Sequence, residues 1–381
     1  MKALVLGGFG IMGSSVARDL IKSQIITQVV LAGRRIHMDN MHSAVQASGK
    51  VASMTLDVTD FRNLVAAMKK NDIVINCSGP FFKLGLNTMK AAIEAGTNYV
   101  DICDDYEAVQ EAFTLDRAAK EAGISICVGF GGGPGVTNII AKYAAEKLDE
   151  VEEIRILWIV GLNDPSGTAA LSHGFHMLEG NVPQFIEGKW VEVPGFSGAE
   201  EVEFLEPVGK CEVYYVGHPE PITLPRYIKS VKTVTCKGGF APSWVNQMIS
   251  DLPKYGLVTP EPIKVDGGSI TPLEFFTKIM TESPTFKKRI ERYDQSPANI
   301  VVKGKEGGKD VTYVYRLTGK VAPGTGIAAS IAAQMICSGE VREKGVIAPE
   351  GAVDPVKFFA EFAKKGFRLS EQKAVTSEVQ F

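Results

Sequence analysis

Four stretches of this chain carry side chains whose types and spacing suit chemistry. Asp101, Asp104 and Asp105 crowd together with Cys103 and Tyr106. Carboxylates packed near an apolar group raise one another's pKa, and one of them then becomes a proton donor or acceptor. Asp101 and Asp104 are the leading candidates, with Cys103 between them. Acids also favour the solvated start of a helix, and that reading stands beside the first. His173 and His176 stand three apart in Ser-His-Gly-Phe-His and would share a helix face, with Glu179 close behind. Such a trio resembles a metal site, but no fourth ligand presents itself. No metal is therefore expected, and the imidazoles read as lining of a substrate pocket or as core. The run from Gly217 to Arg226 sets Glu220 between two prolines, which stiffen the backbone and hold polar groups at fixed positions against a ligand. His218, Glu220, Thr223 and Arg226 are its candidates, and a glutamate there favours a cationic substrate.

The fourth stretch is the N-terminus. An apolar run, Ala3 to Leu6, breaks into Gly8-x-Gly10-x-x-Gly13 and passes directly into a helical pattern with Val16, Ala17, Leu20 and Ile21. In that setting Gly8 would permit the tight turn, Gly10 a close approach to a pyrophosphate and Gly13 close packing of helix on strand. Phe9, Ile11 and Met12 complete the loop, and the helix N-terminus offers its N–H groups to phosphates. A second strand, Gln28 to Ala32, ends in Gly33-Arg34-Arg35. An NAD-binding fold usually has an acid there for the ribose 2′-hydroxyl. None lies between Ala32 and Met38, whereas the forked guanidinium groups of Arg34 and Arg35 suit a 2′-phosphate. NADP is thus expected in preference to NAD; the bland alternative makes both arginines solvated loop charges. Asp57 and Val58 fall where an adenine would rest, unless Asp57 caps the next turn. Cys77-Ser78-Gly79-Pro80 leaves the fourth strand beside the expected nicotinamide.

These residues need elements to position them. Helices near Asn63 to Lys70, Leu86 to Ala95 and Asp116 to Ala122 alternate with strands at Ile73 to Cys77, Tyr99 to Ile102 and Ile124 to Val128. Alternation of this kind predicts an α/β fold with a Rossmann-type doubly wound parallel sheet, its ligand beyond the carboxyl ends of the strands. Five glycines and a proline between Gly129 and Gly135 mark a boundary. Beyond it, residues 136–321 read as an α+β substrate domain with a largely antiparallel sheet. It includes an exposed hairpin, Asn299 to Lys305 and Asp310 to Leu317, joined across Gly307-Gly308. From Pro323 the chain is helical again, and residues 369–381 read as a polar, mobile tail.

Composition sets the class. The chain of 381 residues is 45% hydrophobic and 22% charged with a net charge of −3, which suits a two-domain enzyme and gives no case for nucleic acid or an acidic membrane surface. Six cysteines (Cys77, Cys103, Cys127, Cys211, Cys236 and Cys337) lack any CxxC pairing. With neither signal peptide nor membrane span in view, a cytoplasmic location is expected.

The chain resembles the saccharopine dehydrogenase-like family, in particular its saccharopine reductase and lysine 6-dehydrogenase branches. The matching features run in order through Leu6 to Gly13, Leu56-Asp57-Val58-x-Asp60, Asn76 to Phe81, Tyr99-Val100-Asp101, Gly133-Pro134-Gly135-Val136-Thr137-Asn138, Thr325-Gly326 and Gly345 to Glu350. The resemblance implies a discontinuous nucleotide domain (residues 1–135 and 322–368), a middle domain that supplies the substrate pocket, and a homodimer. It also implies hydride exchange at a carbon bearing nitrogen, interconverting amine and imine in an amino acid or an opine-like secondary amine. Where saccharopine reductases carry an arginine for a substrate carboxylate, this chain has His218 and Glu220, which leaves the substrate open. NAD-dependent lysine 6-dehydrogenase is one alternative, against which the missing acid at position 33 or 34 speaks. An NADPH-binding redox sensor without turnover is another.

Overall fold

The structure, a computed structural model, describes the chain except residues 166, 179, 258, 260 and 377–381. Its first half is built on β1 (Lys2–Leu6), β2 (Gln28–Gly33), β3 (Val51–Thr55), β4 (Ile73–Asn76), β5 (Asn98–Asp101) and β6 (Ser125–Cys127). Ala3 to Leu6 and Ile73 to Asn76 are buried on both faces, as strands covered by helices on each side must be. All pair in parallel in the order β6-β5-β4-β1-β2-β3, and Gly345–Ile347 adds a seventh strand beside β6. The order reverses between β1 and β4, where Leu6 pairs with Asn76. The glycine loop after β1 and the Cys77–Pro80 segment after β4 therefore leave adjacent strand ends, which is where such sheets open a crevice. Helix Tyr106–Thr114 starts directly after Asp105, where the acidic cluster allowed a helix start; its extent carries no separate signal in the sequence pattern.

The second half starts with helix Val136–Ala145 and continues through β7 (Glu150–Gly161), helix Thr168–His176, β8 (Asn181–Ile186), β9 (Lys189–Pro194), β10 (Glu200–Glu203), β11 (Lys210–Tyr215), helix Glu220–Tyr227 and β12 (Thr233–Ala241). Short helices and the ribbon β13 (Ile263–Val265) and β14 (Gly268–Ile270) follow, then the hairpin β15 (Ala298–Glu306) and β16 (Lys309–Leu317). After β17 (Gly345–Ile347) the chain ends in β18 (Ser370–Thr376). The main sheet runs β10-β11-β12-β7-β15-β16-β18, with β8 and β9 attached to β12. Every pair is antiparallel except β12 with β7.

Two expectations need correction. The hairpin turns at Gly307 and Gly308, both with positive φ (57° and 76°), as a tight turn of this hand requires. It is not an exposed hairpin, however, because β7 and β18 flank it on either side. Nor is the polar terminus loose as far as Thr376. Residues 370–376 pair with β16 along their length, and Glu371 accepts from Tyr315 Oη (2.6 Å) and binds Lys147. Exposed polar side chains gave no apolar signal, yet the backbone groups complete the sheet.

The helix Val321–Cys337 lies against the glycine-loop helix Ile11–Leu20. A Cβ on Gly326 would sit 2.5 Å from Ser15 Cβ, so the two can approach this closely only with glycine there. Ser330 donates to Asp19 Oδ2 (2.8 Å) and Lys365 to Asp19 Oδ1 (2.6 Å), tying the last quarter of the chain to the first helix. Asp164, just past β7, accepts from the Val321 N–H (2.7 Å) and Ser296 Oγ (2.9 Å), which fixes the start of this helix. Among the described residues no helix is long and apolar enough to cross a membrane.

Candidate active site

The glycine loop forms a cradle. Gly7, not Gly8, takes the left-handed turn (φ +69°); Gly8 is needed instead because a Cβ there would lie 2.9 Å from Val5 O and 3.0 Å from Leu31 Cβ. A Cβ on Gly13 would stand 2.3 Å from Gly7 O, so the helix can start this close to the strand only with glycine. Gly10 has room on one side (Gly7 O at 3.3 Å) and no side chain caps its helix. The N–H groups of the first turn, around Ile11, Met12 and Gly13, thus lack a side-chain acceptor and suit an anion. Phe9 packs beside Gly33 at the end of β2. Arg34 and Arg35 follow, both exposed. Asp57 Oδ1 accepts from the Thr59 N–H (2.9 Å) and hydroxyl (2.8 Å), so the carboxylate does cap its turn. Those bonds, with Arg34 beyond, hold Asp57 below its ordinary range. Val58 O accepts from Asn87, and the Ser78 N–H donates to Asn76 Oδ1 (2.9 Å), fixing the loop after β4. An open helix start, a glycine-only approach and two free-reaching arginines together fit a phosphorylated dinucleotide.

Next to this cradle a cavity of about 640 Å³ runs between the two halves. Met12, Cys77, Gly79, Pro80 and Asp104 line it from the first half. Trp158, His173, His218 and Phe240 face them from the second. Helix Thr168–His176 delivers His173, whose Nδ1 donates to Asp105 Oδ1 (2.7 Å) with Asp104 Oδ1 at 3.7 Å. Burial opposes charge on His173, but Asp104 and the bond to Asp105 outweigh it and push its pKa up to about 9. Asp105 is itself buried, which alone would raise it; the bond to His173 and the Phe82 N–H (2.9 Å) hold it below the usual range. Asp104, in contrast, is raised by burial despite the two histidines facing it.

A second imidazole–carboxylate pair stands opposite. His218 Nδ1 donates to Glu220 Oε2 (2.5 Å), and Glu220 Oε1 accepts from Thr137 Oγ1 (3.0 Å). Burial works against the Glu220 charge, yet His218 and these bonds keep it below its ordinary value. The prolines explain how Glu220 is placed. Pro221 sits in the first turn of helix Glu220–Tyr227, where no N–H is required. Pro225 cannot donate to Pro221 O, and Trp190 Nε1 does so instead (3.0 Å). The His173 and His218 rings meet edge to face, 5.7 Å apart, with Trp158 5.5 Å from His218. Each imidazole spends Nδ1 on its carboxylate, which leaves Nε2 for a ligand.

Not every expected residue lies in this cleft. Asp101 is fully buried behind it, its Oδ1 accepting from the Cys103 N–H (3.1 Å) and Gly129 N–H (2.8 Å). Burial lifts it to about 6 against those bonds, but its position makes it a brace for the loops and not a proton carrier to substrate. Cys103 is also fully buried, its thiol pushed far up by burial and by the neighbouring acids, so it is inert. Burial likewise pushes the Cys77 thiol up to about 12. His176 leaves the face that His173 uses: it stacks on Phe82 (4.1 Å) and bonds Glu107 (3.0 Å) outside the cavity lining. Thr223 accepts from Asn138 Nδ2 (3.0 Å) in the core, and Arg226 lies exposed over the Phe113 ring (4.1 Å). Glu179 is outside the described residues. Sequence reasoning missed Asp105 as the partner of His173, and Trp158 in the cleft wall. A tryptophan amid an apolar strand carries no signal of its own.

The comparisons with known proteins agree with this geometry. Residues 3–127 match the model of the saccharopine dehydrogenase NADP binding domain, and residues 131–367 that of the saccharopine dehydrogenase C-terminal domain. A carboxyaminopropylagmatine dehydrogenase from Synechocystis is 25% identical over 399 aligned residues, covering 97% of each protein. A carboxynorspermidine synthase from Vibrio cholerae is 27% identical, covering 75% of this chain and 73% of that protein. Among solved structures, saccharopine dehydrogenase (L-Glu forming) from Saccharomyces cerevisiae superimposes with a TM-score of 0.67 over 98% of this chain and 99% of that one; at 17% identity it speaks for the fold alone. With both halves matched in order and the dinucleotide cradle opening onto the two-histidine cleft, the chain belongs to the saccharopine dehydrogenase family of NAD(P)-binding oxidoreductases.

Proposed function

We propose that this enzyme interconverts a secondary amine and its imine in a carboxyl-bearing polyamine, with NADP(H) preferred over NAD(H). The observation that carries this reading is the pair of imidazole–carboxylate dyads facing each other beside the nucleotide cradle. Three carboxylates meet two imidazoles there: Asp104 and Asp105 lie at His173, and Glu220 at His218. A cleft with these carboxylates, and with Lys287 and Lys320 also on its lining, favours a long cationic chain that carries a carboxylate. The names of the two relatives, both of which handle carboxylated polyamines, support the same class.

When bound, the dinucleotide supplies the hydride acceptor or donor. The first-turn amides of Gly10 to Gly13 would hold its pyrophosphate, Arg34 and Arg35 its 2′-phosphate, Asp57 and Val58 its adenine end, and Cys77 to Pro80 its nicotinamide end. His218 Nε2 takes the proton of the substrate ammonium, with Glu220 stabilising the imidazolium that forms. The free amine then loses hydride from the adjacent carbon and becomes an iminium. In the reductive direction the same nitrogen regains its proton from His218. His173 stays protonated by its carboxylates and orients the substrate, while Trp158 and Phe240 exclude water.

Turnover tests this. Carboxynorspermidine, carboxyaminopropylagmatine, saccharopine and lysine are each offered with NADP and with NAD, and reduced nicotinamide is followed by absorbance. A carboxylated polyamine with NADP is expected to give the highest kcat/KM. NAD-dependent turnover of lysine would establish the alternative dehydrogenase. Failure of every compound, with NADPH still bound, would point to a sensor. Tighter binding of NADH than NADPH would overturn the cofactor preference.

A further inference from the structure

Behind the His218–Glu220 dyad lies a buried polar chain that the reaction as described leaves unused. Asn138 is fully buried, and its Nδ2 donates both to Thr223 Oγ1 (3.0 Å) and to Glu350 Oε2 (3.1 Å). Its Oδ1 accepts from the Gly135 N–H (3.0 Å), and the single Thr137 hydroxyl proton is shared between that Oδ1 (3.3 Å) and the nearer Glu220 Oε1 (3.0 Å). Glu350 is only 3% exposed, and its Oε1 has no hydrogen-bond partner. Two carboxylates, Glu220 and Glu350, are thus bridged inside the protein by an amide and a hydroxyl. The segment Pro349–Ala352 that carries Glu350 packs on two helices. Val136–Ala145 faces it with the neutral Thr137 and Asn138, its Lys142 and Tyr143 being turned to Glu146 and Lys147. Glu220–Tyr227 faces it with Glu220 and with Tyr227, whose hydroxyl accepts from the Ala348 N–H (3.2 Å), while Arg226 points away to Phe113.

We propose that Glu350 is a positioning residue for this reaction: acting through Asn138 and Thr137, its ionisation sets the total negative charge behind His218, and so the pH range in which the dyad takes the substrate's proton. The proposal rests on the assignment of His218 above. Its physical basis is that two linked carboxylates in one buried site do not ionise independently. While Glu350 keeps its proton, Glu220 is the single anion behind His218; once Glu350 loses it, a second anion strengthens the dyad's hold on a proton. Burial pushes Glu350 up to about 7, with Glu220 adding to the effect, so the change falls in the working range.

The experiment is the pH profile of kcat/KM for oxidation of carboxynorspermidine, with NADPH affinity measured alongside. Wild type should show an inflection near neutrality. Glu350→Gln should fall progressively behind wild type as pH rises through it, by several-fold on the alkaline side, with NADPH affinity unchanged. Glu350→Asp should restore an inflection at a displaced pH. A Glu350→Gln to wild-type ratio that is the same at every pH would overturn the proposal, since a merely structural defect behaves that way. Infrared difference spectra of wild type, which need neither turnover nor a folded variant, should show a carboxylic C=O band titrating through neutrality; its absence also overturns the proposal. His218→Asn separates the two levels. If it turns over as wild type does, the His218 assignment fails. If it is slow while the Glu350→Gln ratio stays flat with pH, only the Glu350 inference fails.

Discussion

His173 shows how a single residue ties stability to pH. Its pKa lies at about 9 in the folded protein against an ordinary 6.5, so its pairing contributes stability that is complete below 6.5 and is lost as pH rises through 9. The shift corresponds to at most about 3 kcal/mol, and the raised Asp104 offsets part of it. Thermal unfolding should therefore show wild type losing Tm between about pH 6 and about pH 9.5. His173→Asn should start lower and lose less across the same interval, because Asp104 and Asp105 are then without their cation at every pH. Equal losses in both proteins would show that the dyad does not carry the dependence. At this scale the sequence was only partly legible. The acidic cluster was evident and Asp104 among its leading members, but not that Asp101 is buried away from the cleft or that Asp105 pairs with His173. In the irregular segment after β5 no period assigns alternate residues to alternate faces: of the favoured Asp101, Asp104 and Cys103 only Asp104 lines the cleft, while Asp105 is the hydrogen-bond partner of His173.

At the scale of elements, the strand–loop–helix unit was legible because its glycines are required by backbone clearance, a local property. Gly13→Ala places a methyl 2.3 Å from Gly7 O and 2.7 Å from Gly8 Cα, both backbone atoms that cannot step aside. Destabilisation of about 1–3 kcal/mol is expected, with NADPH affinity reduced as the loop shifts. Gly10→Ala, whose Cβ would meet only Gly7 O at 3.3 Å, should leave stability nearly unchanged. Chemical denaturation and calorimetric titration of both variants check this, and a Gly13→Ala protein as stable as wild type would refute it. Elements defined by pairing with distant segments were harder to see. β18 is polar throughout and exists because β16 has an open edge. Helix Glu220–Tyr227 forms despite two prolines because Trp190, far off in sequence, supplies the missing donor.

For the whole molecule, the nucleotide-binding half is completed by the end of the chain. Ala328, Ala329, Ala332 and Ala333 of helix Val321–Cys337 are wholly buried, and β17 borders β6. A fragment of residues 1–135 would expose the surfaces these cover. It should lack a cooperative thermal transition and fail to bind NADPH, whereas a fragment that melts cooperatively and binds would show that half to be self-sufficient. The candidate cleft has the same character: His173 and Asp105 are 68 residues apart in sequence, and Asn138 and Glu350 are 212 apart. By itself the sequence determined the parallel sheet, the dinucleotide loop and the family, because strand burial, glycine clearance and helix starts are written in short-range patterns. The tertiary structure alone decided which histidine meets which carboxylate and that Arg226 stays out of the site, since those outcomes depend on packing between segments that no local spacing encodes.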